Sequence, residues 1–319
     1  MTSRPTSRTK PPAICASIME AIGNTPMVSL ARLFAAHPAV DVVAKLEFMN
    51  PSGSIKDRMV RYMLAREQAT RAPPGVVESS SGNTGASLAM ASAIYGIECD
   101  IAVPDVTSHE KIKRIGAYGA RVHTCAAHLA ADDPGSYQAK ALALAHDSGA
   151  FHLDQYRSAL NAESHYADTA PELWEQTAGQ IDYFVAGIGS GGTISGVGRF
   201  LKERNPAIVV IGVEPEHSAY RDALCGRSNA QPFASRIEGV GKRDPAGSFD
   251  RSVVDEIIQI PDEQAIDYCH RLARTEGMLV GGSSGCVTAA IAGLLERVDS
   301  GRIATIFPDS GTFYLSKYF

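Results

Sequence analysis

Short apolar runs alternate with helical patterns in two blocks of the chain. In the first block, "GVVESS" leads through a glycine turn into the helical "ASLAMASAIYG", followed by "CDIAVP", the helical "SHEKIKRIGAYG" and "ARVHTC". The second block runs from "DYFVAGIG" through glycines into "ISGVGRFLKER" and then "AIVVIGVEP". Such alternation is typical of parallel sheets covered on both faces. It predicts an α/β fold of two open, mainly parallel sheet lobes flanked by helices, with a cleft between them.

The boundaries follow from where this pattern is absent. Residues 1–18 are expected to form a disordered tail: "MTSRPTSRTKPP" lacks acids, as transit peptides do, but it is short and carries helix-breaking prolines. The smaller lobe is expected to span 19–155, with packing of its first segment on the other lobe left open, and the larger lobe 156–319. Between Asp154 and Gly179 the pattern is polar and irregular around one helix, "APELWEQTAG", and is predicted to cross between the lobes.

Composition excludes several classes of protein. The chain has 319 residues, 45% hydrophobic and 20% charged, which suits two lobes of one enzyme. A net charge of −5 gives no basic field for nucleic acid. No apolar run approaches the roughly 20 residues that span a bilayer. The six cysteines are scattered without a CxxC pair, which favours reduced thiols and a cytoplasmic location.

Lys56 is placed unusually within "NPSGSIKDRM". The segment reads as a turn that leads into a helix, because Asn-Pro and Ser-Gly precede Ile55, Met59 and Met63 at four-residue spacing. Lysine in a first helical turn is disfavoured by the helix dipole. Lys56 is therefore either a solvated surface residue or an amine that the protein keeps neutral for chemistry.

A glycine loop, "GIGSGG", lies between a predicted strand and helix. Gly187, Gly189 and Gly192 fit the GxGxxG pattern, and Glu214 follows where a ribose-binding acid of a dinucleotide fold would lie. An NAD-dependent oxidoreductase is one interpretation. The same loop can hold any phosphate, because glycines let N–H groups converge at a helix N-terminus, and Thr193 can add a hydroxyl.

Two further loops change the balance between these interpretations. "ESSSGNTGAS" places hydroxyls, an amide and free N–H groups at a helix start, which suits a carboxylate, and "GGSSG" precedes another helix of small residues. Pyridoxal phosphate needs a lysine, a phosphate cradle and a partner for its pyridine nitrogen. Lys56, the Gly189 to Thr193 loop and a serine of the third loop can supply these, so the set favours pyridoxal phosphate over NAD.

A metal site is not expected. "HTCAAH" carries His123, Cys125 and His128, but no second cluster is present to complete a tetrahedral site. We interpret these residues as structural.

The motifs "NPSGSIKDR", "SSGNTG", "GIGSGGT", "VEP", "GGSSG" and "FPDSG" occur in an order that resembles the cysteine synthases, or O-acetylserine sulfhydrylases, and their relatives cystathionine β-synthase and 2,3-diaminopropionate synthase. The resemblance runs from Ile22 to the C-terminus. It implies a fold type II enzyme, commonly a homodimer, with the cofactor in the cleft. Lys56 would carry the cofactor and act in catalysis. The other implied cofactor residues are Asn83 at the 3′-oxygen, Gly189, Ser190, Gly191, Gly192 and Thr193 at the phosphate, and Ser283 at the pyridine nitrogen. The implied substrate-carboxylate residues are Ser80, Ser81, Gly82, Thr84 and Gln155.

The sequence departs from the family next to this site. "QFxNPANP" reads "QYRSALNA", which introduces Arg157, and Thr312 and Phe313 replace a charged pair near the C-terminus. Arg157 is either a solvated arginine or a residue that binds an anion at the cleft mouth, the phosphate of O-phosphoserine or a carboxylate of an incoming amine.

The expected reaction is β-replacement in amino-acid biosynthesis. The substrate would be O-phospho- or O-acetyl-L-serine, and the product would form through an α-aminoacrylate, as in cysteine synthases. The alternative is a 2,3-diaminopropionate synthase that uses an amino-acid amine as nucleophile. Remoter alternatives are a cystathionine β-synthase, an NAD-dependent oxidoreductase and a catalytically silent pyridoxal phosphate-binding protein.

Overall fold

A computed structural model describes residues 14–80, 82–129, 133–227 and 233–319 of the chain. Residues 1–13 of the expected N-terminal tail and Ser81 of the expected carboxylate loop lie outside the described residues.

Two separate sheets form within these ranges. The larger has six strands in the order β1-β2-β10-β7-β8-β9, and the smaller has four in the order β5-β4-β3-β6. All neighbouring strands pair in parallel except β1 and β2. The two mainly parallel sheets predicted from the hydrophobic pattern are therefore present. Their strands are β1 Met27–Ser29, β2 Val40–Leu46, β3 Gly75–Ser79, β4 Glu98–Pro104, β5 Arg121–Cys125, β6 Phe151–His152, β7 Tyr183–Gly187, β8 Val209–Pro215, β9 Glu256–Ile260 and β10 Gly301–Phe307.

Helices cover both sheets. The α-helices are α1 Lys56–Thr70, α2 Asn83–Tyr95, α3 His109–Ala117, α4 Tyr137–Ser148, α5 Ala159–Ser164, α6 Ala170–Gln176, α7 Gly192–Arg204, α8 Tyr220–Leu224, α9 Asp262–Glu276, α10 Gly282–Leu294 and α11 Leu315–Tyr318.

Successive residues of β7 show why its sequence is apolar without alternation. Val185 packs into a cluster with residues of α9 and α10, whereas Phe184 and Ala186 pack into a second cluster with residues of α6 and α7. All three side chains are buried because helices lie on both faces of the sheet. A third cluster joins α1, α2 and α3 to β3 and β4 in the smaller sheet.

The larger sheet takes strands from both ends of the chain. β2 pairs along its length with β10, from Val40 beside Gly301 to Leu46 beside Phe307. The chain leaves this sheet after β2, builds the smaller sheet from β3 to β6, and returns through β7. The carboxyl ends of parallel strands are where open α/β sheets bind ligands. The loops that follow β2, β7 and β10 start at such an edge.

The stretch from Asp154 to Gly179 differs from the sequence-based expectation. It is largely helical: α5 continues into a π-helical turn, His165–Thr169, and then into α6. The prediction of an irregular segment with one helix was wrong. The helices of this stretch are only partly buried, so each has a narrow apolar face, and most of their residues are polar.

Candidate cofactor and substrate site

Lys56 is the first residue of α1, directly above the end of β10. The backbone N–H of Ile55 donates to the carbonyl oxygen of Pro308 at 2.8 Å, and Ser54 forms an isolated β-bridge with Asp309. The Ser54 hydroxyl also accepts a hydrogen bond from the Lys56 N–H at 3.3 Å. The start of α1 is therefore fixed to the segment that directly follows β10.

The environment of Lys56 favours a neutral amine. Burial lowers the pKa of the Lys56 amine, and the nearby Asp309 carboxylate opposes that effect. A neutral amine can act as a nucleophile or as a general base.

The loop between β7 and α7 brings its backbone close to neighbouring chain segments. Gly191 has a φ of +89°, and a Cβ there would lie 2.7 Å from the Cα of Phe249. A Cβ at Gly189 would meet the carbonyl oxygen of Gly239. These contacts require glycine at both positions. The loop leads into α7 at Gly192, where the first N–H groups have no partner within the helix.

A small cavity of about 30 Å³ lies against this loop and reaches Lys56. Ser190, Gly191 and Thr193 line it. N–H groups and hydroxyls at a helix start attract an anion. The cavity is therefore suited to a phosphate group placed close to the lysine.

A larger cavity of about 180 Å³ contains most of the other predicted residues. The Thr84 hydroxyl donates to Gln155 Oε1 at 2.8 Å, and Ser80 Oγ accepts from the N–H groups of Gly82 and Gly85 at 3.3 Å. Ser283, in the first turn of α10, is 4% exposed. The predicted residues that line this cavity are Lys56, Ser80, Gly82, Asn83, Thr84, Gln155, Gly189, Ser190 and Ser283.

The two cavities together fit pyridoxal phosphate. They share Lys56, Gly189 and Ser190, so an amine lies between a phosphate-sized space and a space lined by an amide and neutral hydroxyls. Asn83 Nδ2 donates to Asp309 Oδ2 at 2.6 Å, while Asp309 Oδ1 is buried with no partner among the described residues. Buried polar atoms in folded proteins nearly always have a hydrogen-bond partner, so an unpaired carboxylate oxygen beside a cavity indicates a ligand site.

The comparison with known proteins gives the family. A model of the family described as "Pyridoxal-phosphate dependent enzyme" matches residues 18–309. The chain belongs to this family. Its members use pyridoxal phosphate, so the cofactor expected from the lysine and the loops is confirmed.

Similar proteins agree with this family assignment. Cystathionine beta-synthase of Mus musculus is 38% identical over 316 residues, which cover 97% of this chain and 56% of that protein. The chain thus spans little more than half the length of that relative. The O-acetylserine dependent cystathionine beta-synthase of Bacillus subtilis (strain 168) is 37% identical over 312 residues, 95% of this chain and 97% of that protein.

Among solved structures, the crystal structure of O-ureido-L-serine synthase superimposes with a TM-score of 0.87 at 32% identity and covers 96% of this chain and 95% of that one. The predicted fold type II architecture and the likeness to the cysteine synthase and cystathionine β-synthase family are confirmed.

Membership of the family excludes the NAD interpretation. The surroundings of Glu214 show why the GxGxxG pattern followed by an acid did not indicate a dinucleotide site. Glu214 is fully buried and accepts hydrogen bonds from the N–H groups of Tyr220 (3.0 Å) and Arg221 (2.9 Å). Gln259 Nε2 donates to it at 2.9 Å. Its carboxylate holds the start of α8 and is not available to a ribose.

Arg157 does not line the main cavity. Its side chain is 75% exposed, and its guanidinium lies 3.9 Å from Asp154 Oδ2. It lines a neighbouring cavity instead, so an anion held by Arg157 would lie beside the main cavity.

Several residues that line the main cavity were not predicted from the sequence. Asp309 was part of a quoted motif, "FPDSG", but had no role assigned to it. Tyr314 Oη donates to Asp309 Oδ2 at 2.6 Å. Lys111 of α3 forms an ion pair with Glu238 across the cavity. Lys242 also lines it, and no local pattern marks a lone lysine.

Two general features bear on ligands and location. Within the described ranges, no group of three or more His, Cys, Asp or Glu side chains is arranged to hold a metal ion. His123 Nε2 lies 2.7 Å from Asp100 Oδ1.

Among the helices of the described residues, none combines the length and apolar character needed to cross a membrane.

Proposed function

We propose that this chain catalyses β-replacement on an O-activated L-serine, with O-acetyl- or O-phospho-L-serine as the donor. The observation that carries the proposal is the position of Lys56, a partly buried lysine between a phosphate-sized cavity and a loop suited to a carboxylate. The names of the relatives support it: one is an O-acetylserine dependent cystathionine beta-synthase and another makes O-ureido-L-serine.

Each cofactor and carboxylate residue implied by the family resemblance receives a role in this proposal. Lys56 binds the cofactor, Asn83 its 3′-oxygen, and Ser283 its pyridine nitrogen. The residues proposed for the phosphate are Gly189, Ser190, Gly191, Gly192 and Thr193, and those proposed for the substrate carboxylate are Ser80, Ser81, Gly82, Thr84 and Gln155. The cofactor, when bound, supplies an electron sink that makes the Cα proton of the donor acidic.

Lys56 moves the proton. Its amine takes the proton from Cα, and the Cβ–O bond breaks with its electron pair leaving on acetate or phosphate. The nucleophile then forms a bond to Cβ, and the Lys56 ammonium returns a proton to Cα. A neutral hydroxyl at Ser283, in place of a carboxylate, does not enforce protonation of the pyridine nitrogen. Elimination of a good leaving group is then favoured over racemisation.

The direct test is release of the leaving group. Yellow holoenzyme is incubated with O-acetyl-L-serine or O-phospho-L-serine without a nucleophile, and acetate or inorganic phosphate is measured in the first turnover. We expect a burst of about one equivalent per active site from one of the two donors. If neither donor releases its group, the chain is a silent pyridoxal phosphate-binding protein and the proposal fails.

The role of Ser283 is tested against its neighbour on the same helix. Ser283→Ala should weaken cofactor binding about fivefold, because a hydrogen bond contributes on the order of 1 kcal/mol. Ser284→Ala is the matched control, since Ser284 lines neither of the two cavities. Its removal should leave the cofactor Kd unchanged. Equal Kd values for the two variants, measured by fluorescence titration of apoenzyme, would remove Ser283 from the cofactor site.

A homodimer, commonly found in the family, is proposed here as well, and light scattering of the purified protein tests it.

A further inference from the structure

The π-helical turn His165–Thr169 packs closely against the first turns of α7. A Cβ at Gly196 of α7 would meet the carbonyl oxygen of Ala162 and would lie 2.9 Å from His165 Cβ. Glycine at this position therefore lets the two helical segments approach each other. Single π-turns within helices are frequent at functional sites. Here the turn places the His165 side chain beside the start of α7, where the loop after β7 ends.

The His165 imidazole links two hydroxyl groups. Its Nε2 lies 3.2 Å from Thr193 Oγ1, and its Nδ1 lies 2.9 Å from Thr169 Oγ1. His165 is 1% exposed and Thr169 is fully buried. Thr193 lines the phosphate-sized cavity, whereas His165 and Thr169 do not. The ring therefore lies behind the loop and acts on the cavity only through the Thr193 hydroxyl.

The imidazole of His165 is neutral. Burial lowers the pKa of His165 well below its ordinary value, and the charges of Lys56 and Arg58 lower it further. A neutral imidazole has one ring nitrogen that donates a hydrogen bond and one that accepts. The three groups can therefore be ordered in only two ways.

The two orders differ in what Thr193 offers to the cavity. In the first, the Thr169 hydroxyl donates to Nδ1 and the Nε2–H group donates to Thr193 Oγ1, so the Thr193 hydroxyl hydrogen is left for a ligand. In the second, Thr193 donates to Nε2 and presents only lone pairs to the cavity. Phosphate oxygens are strong hydrogen-bond acceptors. A phosphate is therefore bound by the first order and repelled by the second.

The direction of this hydroxyl matters because the cavity offers little positive charge. Among the described residues that line it, Lys56 is the only one with a cationic side chain, and its amine is proposed to bind the cofactor elsewhere. The hydroxyls are those of Ser190 and Thr193, and the other lining residues are glycine or apolar. A phosphate held in this way depends on N–H groups and hydroxyls that direct their hydrogens at it.

We propose that His165 is a positioning residue for the cofactor phosphate. Its Nε2–H group fixes the Thr193 hydroxyl so that this hydroxyl donates to the phosphate, and Thr169 holds the imidazole in the required tautomer. The inference rests on the role of Thr193 under the proposed function and adds two residues that do not touch the cofactor.

The test compares pyridoxal 5′-phosphate with pyridoxal, which lacks the phosphate. Each is titrated into apoenzyme, and binding is followed by protein fluorescence. In His165→Leu, we expect the Kd of pyridoxal phosphate to rise about tenfold, because a hydrogen bond to a charged group is weakened. The Kd of pyridoxal should not change. Inorganic phosphate, used as a competitor of pyridoxal phosphate, should also bind about tenfold more weakly to this variant.

Two further variants separate hydrogen bonding from packing. His165→Gln keeps a side-chain N–H group that can donate to Thr193, so it should recover most of the affinity for pyridoxal phosphate. Tyr166→Phe is the matched control on the same turn. The Tyr166 hydroxyl donates to Glu203 Oε2 at 2.6 Å, and Tyr166 lines neither the main cavity nor the phosphate-sized one. Its removal should leave both Kd values unchanged.

A double-mutant cycle tests whether His165 acts through Thr193. Thr193→Val alone should raise the Kd of pyridoxal phosphate about tenfold, and His165→Leu/Thr193→Val should raise it little further, because both changes remove the same hydrogen bond. Additive effects would refute the positioning role, and so would an equal rise in the Kd of pyridoxal. If His165→Leu does not fold, as judged by circular dichroism, Thr169→Val carries the same comparison, since it removes the donor to Nδ1.

These titrations do not depend on turnover, so they separate the inference from the proposed reaction. A selective loss of pyridoxal phosphate binding in His165→Leu supports the inference even if no donor releases its leaving group. Release of acetate or phosphate by the wild type, with an unchanged Kd of pyridoxal phosphate in His165→Leu, would contradict the inference alone. An unchanged Kd in Thr193→Val would overturn the inference together with the role proposed for Thr193.

Discussion

Lys56→Ala is expected to lower kcat/KM for the donor by at least about 10²- to 10⁴-fold, the range typical of losing a positioned general base. Lys56, Lys111 and Lys242 all line the main cavity, but only Lys56 also reaches the phosphate-sized cavity. Lys111 is engaged by Glu238, and Lys242 lies over the Tyr156 ring. Lys56 is therefore the amine that a cofactor anchored at the glycine loop can reach.

Borohydride reduction followed by peptide mapping measures this directly. In the wild type, the cofactor should be found on the peptide that contains Lys56, and in Lys56→Ala the cofactor should dialyse away. Lys140→Ala, at an exposed position, should keep both label and turnover. Label on Lys111 or Lys242, or turnover of Lys56→Ala within tenfold of the wild type, would show that the amine was assigned wrongly.

Arg58→Met is expected to lower the free energy of unfolding by about 3–5 kcal/mol, the cost of removing one partner from a buried ion pair. Arg58 is fully buried, its Nε lies 2.6 Å from Glu47 Oε2, and one of its terminal nitrogens lies 2.7 Å from Glu172 Oε2. Glu47 is also fully buried, so the variant leaves its carboxylate without this guanidinium. Arg71→Met is the control: Arg71 is 59% exposed in its pair with Glu67, and its loss should cost less than about 1 kcal/mol. Urea unfolding measures both, and equal values would refute a structural role for the buried pair.

Acid gives a second measure of the same network. Burial alone would raise the pKa of Glu172, but hydrogen bonds and charge from Arg58, with help from Lys45, outweigh it and bring this pKa to about 2, against an ordinary value of 4.5. A carboxylate whose pKa is lowered by folding stabilises the protein above its unfolded pKa. This contribution is present above about pH 4.5 and is lost as the pH falls towards 2. In Arg58→Met that part of the pH dependence should become shallower.

The sequence was most informative where chemistry and local geometry coincide. The sequence indicated which segments start a helix and carry candidate site residues: Lys56, the "GIGSGG" loop and the serine loops. Each of them is a short segment with its own turn residues. The alternating blocks likewise predicted two parallel sheets. Long-range pairing was beyond such patterns: nothing local indicates that β2 joins β10, more than 250 residues away.

The same reason explains what was missed in the site. Gln138, His152 and Lys242 belong to three separate segments, and the cavity that they line beside the main one exists only because the fold brings them together. Glu214 is an error of the opposite kind, a false positive. Its spacing fits a ribose-binding acid, but its carboxylate accepts hydrogen bonds from backbone N–H groups of α8. Spacing along the chain predicts a neighbour only within one element or its adjoining turn.

The pairing of β2 with β10 also governs when this protein can become active during its synthesis. The strands of the smaller sheet, from Gly75 to His152, can pair while the rest of the chain is still on the ribosome. Lys56, by contrast, is held by the Ile55 N–H bond to the Pro308 carbonyl, a contact between residues more than 250 positions apart. Contacts of high sequence separation form slowly, because the loop between them must close first. The loops that follow β3 and β7 are therefore synthesised well before Lys56 can be positioned, because β10 starts more than 100 residues after the end of β7.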